Sequence, residues 1–155
     1  MNSQQAELLL KEIENSIKEI NGFRNLTEKE LSYLAGYLVV IICGIYEEAI
    51  EMIICEWAAK FNSNEINKFV FTSIDQKFRN PKIQKIIETL NNFNKNWGDE
   101  ISILPDPSKE ALNSIIGIKN QLAHKGSANI TLGEVINYYN RSKEIIEKID
   151  DLLLS

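Results

Sequence analysis

Apolar residues return every three or four positions along most of the chain, and strict alternation bounded by hairpin turns is missing. Ala6, Leu9, Leu10, Ile13, Ile17 and Ile20 put a single apolar stripe on a first helix. Asn21-Gly22 is expected to end it, with Gly22 in the left-handed position that follows a last turn. A longer second helix is predicted to start at Thr27-Glu28-Lys29-Glu30. There the Thr-x-x-Glu spacing lets each side chain satisfy the other's free backbone N–H, and Leu26 can staple onto Leu31. From residue 31 to about 61 this helix is apolar on most sides, which predicts a course through the middle of the fold. Its second half carries Glu47, Glu48, Glu51 and Glu56, so that end must reach solvent or face a cationic partner.

Residues 62–90 read as one or two shorter helices broken around Arg79-Asn80-Pro81, with Pro81 suited to the first turn of the later one. Residues 91–107, rich in Asn, Gly, Asp and Pro, are expected to form a long loop. Asp106 then caps a helix that has Pro107 at its first position and runs to about His124, burying Leu112, Ile115, Ile116 and Leu122. After a short loop, Thr131-Leu132-Gly133-Glu134 repeats the capping box, stapled by Ile130 and Val135. The last helix turns Val135, Tyr138, Tyr139, Ile145, Ile146, Ile149 and Leu152 inward. The expected fold is all-α, an antiparallel bundle of about five to six helices forming one domain over residues 1–155.

Composition narrows the class without changing that picture. With 155 residues, 44% hydrophobic and 25% charged, the chain has the make-up of an ordinary globular protein. Its net charge of −5 disfavours indiscriminate attraction to nucleic acid or anionic membrane, so any polyanion must be met by a local basic patch. Cys43 and Cys55 are too few for a disulfide framework and sit among apolar helical neighbours, as buried free thiols in a reducing compartment would. No basic segment followed by an apolar one opens the chain, and the most apolar stretch, residues 31–46, is shorter than the ~20 residues a membrane span needs. The expected location is cytoplasmic, with no membrane partner.

His124 is the sole histidine. With no pair of cysteines at ligand spacing beside it, a zinc site is excluded, and no metal or other cofactor is expected. There is no Gly-rich phosphate loop, and no Ser or Cys has an obvious histidine partner. Glu47, Glu48 and Glu51 resemble the inward carboxylates of metal-binding bundles, but the Glu-x-x-His partners are missing.

Residues 118–126, Ile-Lys-Asn-Gln-Leu-Ala-His-Lys-Gly, are followed by Ile130-Thr131-Leu132-Gly133-Glu134-Val135 and a closing amphipathic helix. This pattern resembles a HEPN domain and is most similar to the RiboL-PSP group, whose members end a helix with Arg-Asn-x-x-x-His. Gly44-Ile45-Tyr46-Glu47-Glu48 also resembles that family's central helix. The resemblance implies a metal-independent endoribonuclease acting on single-stranded RNA, a toxin or antiviral effector. It also implies a homodimer in which both motifs line one cleft, with an antitoxin or regulatory protein as a further partner.

RNA cleavage by its own 2′-hydroxyl needs a base that titrates near neutrality, a cation for the charge gathering at phosphorus, and a polar group to orient them. His124 would be the base or acid, Asn120 the orienting group and Lys119 the cation. Asn120 and His124 are four residues apart and share one helix face, about 40° apart. Lys119 lies further round and would reach the site through its long stem. It stands where the family has arginine, keeping the charge but losing the planar two-donor fork that holds phosphate. The alternative reading is therefore a non-catalytic HEPN-like module for dimerisation or for partner or nucleotide binding. Between residues 76 and 97, Lys77, Arg79, Lys82, Lys85 and Lys95 face the single acid Glu88, with Phe78, Phe93 and Trp97 interleaved. With Lys125, four of these (Lys77, Arg79, Lys82 and Lys85) are candidate RNA contacts, and the aromatics are either stacking platforms or core.

Overall fold

Two capping boxes set the starts of the fold's main helices. Thr27 accepts from the Glu30 N–H while the Glu30 carboxylate takes the Thr27 N–H at 2.8 Å, and Thr131 and Glu134 repeat the arrangement. Both glutamates sit below the ordinary carboxylate range because these hydrogen bonds favour the ionised form. The computed structural model describes residues 1–75 and 77–155. Among them it has seven α-helices and no strand: α1 (Gln4–Gly22), α2 (Glu28–Ala59), α3 (Asn64–Ile74), α4 (Ile83–Phe93), α5 (Lys95–Ser102), α6 (Asp106–Lys125) and α7 (Leu132–Leu154). The protein is an all-α bundle.

α2 is the spine, packed by α1, α3, α6 and α7. Its run of Val39, Ile42, Ile45, Ile50, Ile53 and Ile54 is poor in intrinsic helix formers, costing up to ~0.7 kcal/mol per residue. All six are buried, and each buried side chain returns ~1.5–3 kcal/mol, so packing decides in favour of the helix. The Tyr46 and Tyr139 rings lie 6.4 Å apart in this core. Tyr46 and Ser142 share a hydroxyl hydrogen bond of 2.9 Å, and Tyr139 donates to the Leu10 carbonyl at 3.3 Å. One buried cluster draws side chains from Ala6 to Leu153. No helix among the described residues is long and apolar enough to cross a membrane.

The sequence pattern misplaces several boundaries. Residues 91–107 are not a loop: α4 extends to Phe93, Asn94 caps α5 by accepting from the Asn96 N–H, and Ile101 enters the core. This short helix raises the count to seven. Gly98 is required there, since a Cβ would collide with the Asn91 amide oxygen and come within 2.8 Å of the Ile87 carbonyl. Gly22 stays helical, and Asn25 takes the left-handed conformation instead (φ 57°). Pro81 precedes Lys82, the N-cap of α4, so it lies before that helix's first turn. α6 begins one residue early: Pro105 holds the cap position, and Asp106 lies in the first turn, paired with Lys109 at 2.8 Å.

Candidate functional site

Along its first half α6 buries Ala111, Leu112, Ile115 and Ile116. Beyond Ile116 burial thins: residues 117–120 and Leu122 are half-buried, with Ile118 and Leu122 still packed against the core, and His124 and Lys125 are exposed. The helix stops at Gly126, whose φ of 71° is the left-handed value a side chain would strain and whose N–H returns to the Leu122 carbonyl at 2.9 Å. His124 and Lys125 fall in the last turn, where the carbonyl end of the helix favours positive charge.

Lys119 does not stand free. Its Nζ pairs with Glu47 Oε1 at 2.9 Å, with the two side chains only 27% and 22% exposed. Gly36 meets Leu122 and Cys43 meets Ile115, so α2 and α6 run antiparallel. Side chains lean toward the N-terminus of their own helix. Lys119 therefore leans back along α6 and Glu47 back along α2, and the two meet near Cys43. Burial pushes the Cys43 thiol up to about 12, with the Lys119 charge opposing the shift and Glu47 adding to it. The same Glu47 oxygen accepts the Asn80 N–H at 2.8 Å. Asn80 holds a left-handed φ of 54° at the turn that carries Arg79.

Asn120 and His124 occupy the adjoining face of α6. Seven residues before Asn120, and about 20° away from it around the helix, Asn113 accepts the Ile83 N–H at 3.1 Å and so docks the start of α4 at the foot of that face. The Asn80–Glu47 bond thus ties the basic segment to α2, and the Ile83–Asn113 bond ties it to the first half of α6. On it Lys77, Arg79 and Lys82 are exposed, while Lys85 is half-buried and donates to the Arg79 carbonyl at 3.1 Å. Lys125 lies apart, at the far end of α6. The interleaved aromatics are not free platforms. Phe78 is buried in the core, and Phe93 and Trp97 pack edge-on against Trp57 at 5.5 and 5.1 Å.

Glu47, Asn80 and Asn113 were not read from sequence as part of a site. The one available signal was the acidic half of α2, which asked for a cationic partner, and Lys119 is that partner for Glu47. Glu51, one turn on, is half-buried. Its carboxyl is raised by burial first and then by Asp75, Glu47 and Glu48, with Arg79 opposing.

A family model described as RiboL-PSP-HEPN matches residues 2–155. No curated protein and no solved structure matches the chain.

Proposed function

The chain belongs to the RiboL-PSP-HEPN family, and from that premise we propose that it is a metal-independent endoribonuclease cutting single-stranded RNA, a cytoplasmic toxin or antiviral effector working as a homodimer. The observation that supports this best is an exposed imidazole, His124, in the last turn of α6 and one helical turn from Asn120, with Lys119, anchored by Glu47, further round the same helix. His124 takes the proton of the 2′-hydroxyl as that oxygen attacks phosphorus, or gives one to the 5′-oxygen that departs; Asn120 orients it, and Lys119 meets charge on the phosphate. The exposed Lys77, Arg79 and Lys82 give the RNA backbone a basic approach to the α6 face. A two-fold dimer brings two such sets to one RNA. A second reading, a non-catalytic module for dimerisation or for partner or nucleotide binding, is favoured by one observation. The Lys119 charge is already met by Glu47 and lacks arginine's fork.

The deciding experiment is incubation of the purified protein with labelled single-stranded RNA in EDTA. Wild type is expected to cut, His124→Ala to lose about 10²–10⁴-fold in rate, and Asn120→Ala to lose less. Cleavage that survives His124→Ala overturns the mechanism. An inert wild type with an active Lys119→Arg variant establishes the second reading. Sedimentation at micromolar concentration tests the dimer, and a strict monomer removes the shared cleft.

A further inference from the structure

Glu48, Glu51, Met52, Cys55, Glu56 and Ala59 follow the helical repeat and share one continuous face of α2. With Gln5 of α1 and Phe71 of α3 they line a groove of about 470 Å³. Twelve residues of helix make it roughly 16 Å long, about three turns. Its floor, Met52 and Cys55, is only half-buried. α3, its wall, buries just Val70 and Ile74 and leaves Ile66 at 43%, Phe69 at 72% and Phe71 at 59% exposed. Of these Phe71 alone lines the groove; Phe69, two residues away, lies on the opposite side of α3.

Glu48, Glu51 and Glu56 edge the groove, and the charges of Asp75, Glu47 and Glu48 act against ionisation of Glu51, with Arg79 alone opposing them. We propose that the α2–α3 groove docks a basic amphipathic helix of another protein. Its apolar residues, at i, i+3, i+4 and i+7, lie on Met52, Cys55 and Phe71, and its Lys or Arg residues meet the glutamate rim. Methionine suits such a floor because its unbranched, polarisable side chain adapts to what lands on it. A second copy is the wrong occupant. A two-fold contact places the same patch on itself, glutamates against glutamates. No groove residue belongs to the α6 motif, so the proposal stands apart from the ribonuclease reading.

The test uses the full-length protein and a fluorescein-labelled peptide of leucine and lysine, about four helical turns long, arranged with all its leucines on one face. Anisotropy is expected to show saturable binding that Phe71→Ala, and separately Glu48→Gln with Glu51→Gln, each weaken about tenfold or more. Glu12→Gln with Glu19→Gln, on the exposed side of α1, is expected to change it less than about twofold. If a scrambled peptide of identical composition binds as tightly, or the α1 pair weakens binding equally, the attraction is to net charge and the proposal is overturned. It is also overturned if Phe71→Ala abolishes self-association in sedimentation while leaving peptide binding intact, since the groove then holds a second copy. Should Phe71→Ala fail to fold by circular dichroism, the Glu48/Glu51 pair, which removes a repulsion, carries the test. RNA cleavage by the same variants is expected to match wild type, which separates this result from that of the ribonuclease reading.

Discussion

The two ends of α6 have the same helical period and opposite surroundings. Its first half is pinned by burial, with Leu112, Ile115 and Ile116 wholly enclosed. Its last two turns carry the motif, held by half-buried Leu122 against α2, one half-buried ion pair and a glycine stop, and present His124 to solvent. Stability is concentrated at one end of the helix and the proposed chemistry at the other. A side chain that must meet a ligand cannot also be spent on the core, so substitutions at the two ends should separate folding from activity.

The largest expected effect on folding is at the buried end. Ile115→Ala opens a cavity against α2 and should lower unfolding free energy by about 2–5 kcal/mol in denaturant titration. A loss below about 1 kcal/mol would mean that this end of α6 is not the anchor. Next comes the ion pair. A double-mutant cycle of Glu47→Gln and Lys119→Met should give a coupling of about 1 kcal/mol, well short of a fully buried pair because both groups are about a quarter exposed. A coupling near zero would show that Glu47 does not hold Lys119. Gly126→Ala strains the left-handed stop and should cost about 1 kcal/mol of thermal stability. At the motif itself, His124→Ala should shift stability by less than about 0.5 kcal/mol while removing RNA cleavage. Equal losses in both would collapse the contrast between the two ends.

The smallest effect is a pH dependence at the start of α7. Hydrogen bonds from Thr131 hold the Glu134 carboxyl below its ordinary value of 4.5. A depressed folded value means that the stabilisation is complete above the unfolded value and is lost as pH falls through the folded one. Amide exchange in the first turn of α7 should therefore quicken as pH drops below about 4.5, once corrected for intrinsic rates. In Glu134→Gln this acid step should vanish.

Much of the fold was legible because its signals are local. Thr27/Glu30 and Thr131/Glu134 are capping boxes over four residues, and the apolar period from residue 31 onward needs no knowledge of what it packs against. α5 was missed because its own residues argue weakly for a helix. Asn96, Gly98 and Asp99 are poor helix formers, and the reason for Gly98, the close approach of α4, lies in the tertiary packing. The site divides in the same way. The i, i+4 spacing of Asn120 and His124 can be counted along the chain, whereas Glu47 reaches Lys119 across 72 residues of sequence.

By itself, then, the sequence determined the helical class, the two capped helix starts, the family resemblance and the shared face of Asn120 and His124. All of these depend on spacings within a turn or two. Only the tertiary structure decided that Lys119 is tethered, that Asn80 and Ile83 tie the basic segment to α2 and α6, and that Phe78, Phe93 and Trp97 belong to packing. It alone left the α2–α3 groove uncovered. The physical reason is range. Backbone capping and helical periodicity act between near neighbours in the chain, whereas ion pairs, burial and grooves depend on which distant segments the packed core brings together.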